Sequence, residues 1–155
     1  MQRFFRYLMI MKLLLLFFAA ILMAGCVMGM DGDQQAKKAA EAWADAYFNC
    51  DYKDASGYVT PESQKWLQYA ASNTTADELK MLKEAGGAQV SAEDSFDEAN
   101  DTMRLVTLNV SNSLKTAKTP ELAKDGTYKV VVVKRADTWK VRMAGQPRNE
   151  KQSHD

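Results

Sequence analysis

Tyr128-Lys129-Val130-Val131-Val132-Val133-Lys134-Arg135 is followed by Ala136-Asp137-Thr138 and then by Trp139-Lys140-Val141-Arg142-Met143. The first run is rich in β-branched residues. The last alternates apolar Trp139, Val141 and Met143 with basic Lys140 and Arg142, the period of two expected of a half-buried strand. The three residues between them suffice for a hairpin, although no glycine marks the turn type. Working back, Met103 to Val110 reads as a second strand, and Val90, Ala92 and Phe96 mark a first. Ser111 to Gly126 reads as a long polar connection, with room for one helical turn at Thr119-Pro120-Glu121. Beyond Gly145, residues 146–155 offer nothing apolar to bury and read as a disordered tail.

The first half has a different period. Ala36, Ala39, Ala40, Trp43, Tyr47 and Cys50 recur at helical spacing, with Lys37, Lys38, Glu41 and Asp45 opposite them. On this reading Cys50 is a small hydrophobe on the buried helix face, and Trp43 and Tyr47 are core. Asp51 to Val59 forms a short second helix or turn. Thr60-Pro61-Glu62 then opens another helix, with Thr60 as N-cap, proline where its missing N–H costs nothing and an acid in the positive first turn. That helix buries Trp66, Leu67 and Tyr69 or Ala70. Thr75-Ala76-Asp77-Glu78 is a capping box for a last helix, buried through Leu79 and Leu82 and stopped by Gly86-Gly87.

Helices followed by an antiparallel four-stranded sheet make an α+β chain. The order of Ala39-Ala40-Glu41-Ala42-Trp43, Tyr47-Phe48, Asp51-Tyr52-Lys53-Asp54-Ala55, Tyr58-Val59-Thr60-Pro61-Glu62 and Asp137-Thr138-Trp139-Lys140-Val141 resembles the nuclear-transport-factor-2-like, or cystatin-like, superfamily over residues 34–145. That resemblance implies helices packed on a curved sheet, as a cone or roll. It also implies either an enzyme using acids and tyrosines inside the cone or a non-enzymatic binder using the cavity or the open sheet face.

Arg3, Arg6 and Lys12 precede an apolar run from Leu13 to Met23, the n- and h-regions of an export signal. The run is too short to span a bilayer, which takes about 20 apolar residues. Met11-Lys12 and the leucines after it already form a compact signal, so residues 1–10 add little. Leu22-Met23-Ala24-Gly25-Cys26 resembles the cleavage motif of bacterial lipoproteins, with methionine where leucine is commonest. The resemblance implies removal of residues 1–25, acylation of Cys26 with palmitate-type chains, and a membrane anchor. Val27 instead of aspartate favours the outer membrane over the inner. Residues 26–33 then form a short tether.

Removing residues 1–25 takes away three bases and no acid, leaving 17 bases against 20 acids, a net charge of −3 over 130 residues. That length suits one domain, and mild acidity argues against a nucleic-acid partner. The lone histidine, His154, removes histidine-based triads and imidazole-rich metal sites, and no phosphate or dinucleotide motif occurs, so no metal or cofactor is expected. What remains for an enzyme is Asp94 or Asp97 as general base with Tyr47 or Tyr58 donating to a developing enolate. Yet Glu93, Asp94, Asp97, Glu98 and Asp101 crowd together as a solvated charge run would. Residues 115–151 hold ten bases against four acids, and Lys140 and Arg142 there are candidates for a partner-binding face. The anchor implied by the lipoprotein resemblance, the short tether and the lack of catalytic groups favour a lipid-anchored envelope module that binds another envelope protein or a small apolar ligand without catalysis. An isomerase or dehydratase acting on a small apolar substrate, and an envelope scaffold, are the alternatives.

Overall fold

The computed structural model describes residues 31–97, 101–115 and 120–150, with backbone alone for 94–97. The signal, Cys26, the tether up to Met30, and the tail from Lys151, with His154, lie outside the described residues. Four strands, β1 (Gln89–Asp97), β2 (Met103–Leu114), β3 (Leu122–Arg135) and β4 (Thr138–Arg142), form an antiparallel meander in the order β1-β2-β3-β4. Ahead of them come helices α1 (Gly32–Phe48), α2 (Tyr52–Ala55), α3 (Gln64–Asn73) and α4 (Ala76–Glu84). The α+β architecture expected from the sequence is the one observed. The sheet stays open, with β1 and β4 as its edges, and does not curl into a closed cone.

The central hairpin is longer than its apolar pattern. The β2–β3 ladder runs through Val110↔Gly126 and Ser111↔Asp125 to Leu114↔Leu122, and Lys115 N–H donates to the Glu121 carbonyl at 2.9 Å. The expected long connection from Ser111 to Gly126 is therefore mostly strand. Ladder hydrogen bonds are made by backbone groups and do not need apolar side chains, so this stretch lost the period-two signal without losing the structure. Asn112 takes a φ of 58°, which asparagine tolerates, and the register is the same on both sides of it. The β3–β4 turn is carried by Ala136, also at positive φ (52°).

Helix α1 lies on the sheet through its small-residue face. Ala36, Ala40, Trp43 and Ala44 are wholly buried against a sheet face that includes Val106, Leu108, Val130 and Val132. Each fully buried valine or leucine contributes roughly 1.5–3 kcal/mol. The guanidinium of Arg104 is buried on this face of β2, where it pairs with Asp33 in the first turn of α1 and lies over the Trp139 ring, 5.6 Å from its centroid.

Both sheet edges are covered. At β1, Glu41 accepts the Ala92 N–H (2.8 Å) and Lys37 donates to the Glu93 carbonyl (2.7 Å), beside an irregularity between Ala92 and Ser95 that shifts the register by one. Beyond it Phe96 falls opposite Leu105. At β4, Val59 forms a parallel bridge with Val141, and Thr60 N–H donates to the Val141 carbonyl. Strand addition by another chain would have to displace these groups.

Several local expectations change. The Thr60 hydroxyl does not cap α3. It pairs with the Ser63 hydroxyl at 2.7 Å, both residues being wholly buried, and the helix opens with a 3₁₀ turn at Pro61–Ser63. Of Tyr69 and Ala70, read as alternatives, the structure buries Ala70 and leaves Tyr69 54% exposed, while Leu79, read as core, is 36% exposed because Leu82 takes the inward position. Trp66 is half-buried. Cys50 is not on α1. It follows the helix end at φ 62° as the left-handed residue of a Schellman stop, in which Asp51 N–H reaches the Ala46 carbonyl and Cys50 N–H reaches that of Tyr47. The capping box at Thr75 and Glu78 forms as read, and Gly86 and Gly87 both take positive φ after α4. Residues 146–150, read as the start of a disordered tail, touch the sheet: Asn149 Oδ1 accepts the Thr127 N–H and Glu150 pairs with Lys129.

Candidate functional site

At the C-terminal end of α1 a cleft of about 320 Å³ opens between the helices and the far end of the β2–β3 hairpin. Tyr47 and Phe48 reach it from α1, Cys50 and Tyr52 from the turn that follows, and Tyr69, Ala70, Asn73 and Thr74 from α3 and its end. Glu78 of α4, Leu114, Lys115, Tyr128, Gln146 and Pro147 complete the wall. Rings dominate it. Tyr47 packs edge-on against Phe48 and Tyr52 (centroids 5.2 and 5.7 Å), and Phe48 lies 4.6 Å from Tyr128. Trp43 stacks on Tyr47 from behind at 5.0 Å, fixing its ring.

Close packing on β3 makes room for Tyr128. A Cβ on Gly126 would come within 2.7 Å of the Tyr128 ring, so only glycine fits there.

The polar groups of the cleft are neutral or engaged. Tyr52 Oη pairs with Thr74 Oγ1 at 2.8 Å, and Tyr128 Oη with the buried Ser113 Oγ at 2.9 Å. Glu78 folds back on Thr75, accepting from its N–H (2.7 Å) and hydroxyl (2.9 Å), and Lys115 pairs with Glu121. Burial raises the Tyr47, Tyr52 and Tyr128 phenols above their ordinary value and does the same to the Cys50 thiol, so all four stay protonated at neutral pH. Tyr47 differs from its neighbours. It is only 9% exposed and lines the cleft, yet nothing among the described residues hydrogen-bonds its hydroxyl.

Of the catalytic and binding-face candidates read from sequence, Tyr47 is the one among the described residues that lines this cleft. Tyr58 lies half-buried in the 3₁₀ turn Ser56–Tyr58. Asp94 and Asp97 lie on β1, and their side chains are outside the described residues. Lys140 and Arg142 flank buried Trp139 and Val141 as the alternation requires. They do not act alike, because the Lys140 ammonium donates to the Gly57 carbonyl while Arg142 stays exposed beside Met103 Sδ. Cys50, Tyr52, Thr74 and Tyr128 were not read as site residues. The pair of tyrosines flanking the helix stop at Cys50 was the one local signal for them. Among the described residues no three potential metal ligands converge. Comparison with protein-family models, with curated proteins and with solved structures found no match to this chain.

Proposed function

We propose that this protein is a lipid-anchored binding module of the bacterial cell envelope, held on the outer membrane through acylated Cys26, and that it binds without covalent chemistry. It extends the resemblance to small lipoproteins carrying a nuclear-transport-factor-2-like domain. The observation that carries the binding reading is the cleft, a ring-walled hollow onto which the Tyr47 hydroxyl opens with no partner among the described residues, flanked by acids and bases already engaged elsewhere. A carboxylate-based isomerase is less well supported, since among the described residues the acid in the wall, Glu78, is closed onto Thr75. A scaffold is less well supported too, because the large apolar side chains exposed among the described residues, Tyr69 and Leu79, are two isolated helix residues rather than a sheet face.

The tether joins α1 at Gly32, and the cleft lies at the other end of that helix, about 24 Å along its axis. A ligand is therefore met at the end of the domain away from the tether joint. Among the described residues no helix is long and apolar enough to cross a membrane.

Metabolic labelling with a palmitate analogue, followed by membrane fractionation, tests the anchor. Label on the wild-type chain and none on Cys26→Ala is expected. Equal label on both, or on neither, would overturn it.

A further inference from the structure

We propose that Tyr47 is the specificity-determining donor of this cleft, and that its ligand is a small uncharged compound with an apolar ring and a single oxygen acceptor, seated with that oxygen on Tyr47 Oη. The inference rests on the cleft being a binding site and adds to it the chemistry of what binds.

Size comes first. About 320 Å³ is at the low end of ligand pockets, enough for one or two fused rings. Shape follows from the wall, where the faces and edges of Phe48, Tyr52, Tyr69 and Tyr128 favour a flat apolar body that stacks between them.

Charge is decided by what the lining lacks. Glu78 is closed into its capping box and Lys115 into its pair with Glu121, so an ionised ligand would leave water for a site with no ion ready to meet it. Aromatic contact does not offset that desolvation.

The number of polar groups on the ligand follows from the same accounting. The Tyr52 and Tyr128 hydroxyls are satisfied by Thr74 and Ser113, which leaves Tyr47, a buried side chain whose hydroxyl opens onto the cleft with no partner among the described residues. The Tyr69 hydroxyl and the Asn73 and Gln146 amides also line the cleft but belong to exposed residues at its rim, so a polyol such as a sugar would bring several hydroxyls to an inner wall that offers one donor, Tyr47 Oη, and each unpaired group is penalised. A carbonyl or ether oxygen on a ring matches the single donor. The stack of Trp43 behind Tyr47 holds that donor in place before the ligand arrives, so little ordering remains to be done on binding.

The test uses the full chain in lipid nanodiscs and four probes: benzamide, its charged isostere benzoate, toluene, which lacks the acceptor, and glucose. Binding is followed by NMR shifts of the Cys50, Thr74 and Tyr128 amides, corrected against empty nanodiscs. Benzamide is expected to shift these amides in the wild type and to bind Tyr47→Phe about tenfold more weakly, the effect of one hydrogen bond. Toluene is expected to bind both proteins alike, which also shows that the variant retains its cleft. Benzoate and glucose are expected to bind at least about tenfold more weakly than benzamide. Equal benzamide affinity for wild type and Tyr47→Phe would overturn the role of Tyr47 while leaving the cleft a binding site. Benzoate or glucose binding as well as benzamide would overturn the ligand class. No shift at these amides with any probe would overturn the binding reading itself.

Discussion

The side-chain amide of Asn49 grips the backbone of Ala88 on both sides: Oδ1 accepts the Ala88 N–H at 2.8 Å, and Nδ2 donates to the Ala88 carbonyl at 3.2 Å. This ties the end of α1 to the start of β1, and it places Asn49 Oδ1 where a Cβ on Gly87 would come within 2.7 Å. Asn49→Ala should lower stability by about 1–3 kcal/mol, since buried Ala88 would lose the partner of its N–H. Gly86 and Gly87 have nearly the same φ, but only Gly87 faces an obstruction. Urea denaturation should therefore find Gly87→Ala clearly worse than Gly86→Ala, and equal losses would contradict the role given to Asn49.

Cys50 occupies a position where a helix usually ends in glycine. At φ 62° a side chain costs about 1–2 kcal/mol, and a branched one costs more. Cys50→Gly should be at least as stable as wild type, while Cys50→Val should lose roughly 1–2 kcal/mol by the same strain. Thermal denaturation of the two variants decides it; a destabilised glycine variant would mean that the half-buried thiol contributes more than the backbone strain removes.

Ser63 links two distant segments. Its hydroxyl pairs with Thr60 and accepts the N–H of Met143, just beyond β4, at 2.9 Å. Ser63→Ala should cost about 1–3 kcal/mol because the buried Met143 N–H loses its acceptor and the buried Thr60 hydroxyl its partner. Hydrogen exchange should show the Met143 amide losing protection first. A loss confined to α3 would place the role of Ser63 in the helix instead.

Alkaline pH should unfold the protein through its tyrosines. Desolvation holds Tyr47 and Tyr52 above the ordinary phenol value of 10.0, so the folded chain keeps protons that the unfolded chain gives up. Their contribution is complete below pH 10 and is lost as pH rises toward the folded values. The slope is up to about 1.4 kcal/mol per pH unit per group. Urea midpoints measured from about pH 9 to pH 11 should fall steeply in the wild type and less steeply in a Tyr47→Phe, Tyr52→Phe double variant. An unchanged slope would show that other groups carry the effect.

Much of the fold was legible because its signals are local. The alternation in Trp139-Lys140-Val141, the capping box at Thr75 and Glu78, and the glycine pair after α4 each act within a few residues, and each forms as read. Local signals failed where burial has two solutions. Tyr69 and Ala70 share a helix face closely enough that only packing on the sheet chooses between them, and it chose the smaller. Cys50 kept the helical period but fell one residue past the point where the backbone turns.

The sequence by itself determined the order of helices and strands, because periodicity and caps are properties of neighbouring residues. The tertiary structure decided the site. Tyr52 and Tyr128 come from opposite halves of the chain, and their hydroxyls are satisfied because Thr74 and Ser113 are brought within hydrogen-bonding reach, whereas nothing among the described residues reaches the Tyr47 hydroxyl. No local pattern records which phenol will find a partner and which will be left facing open space.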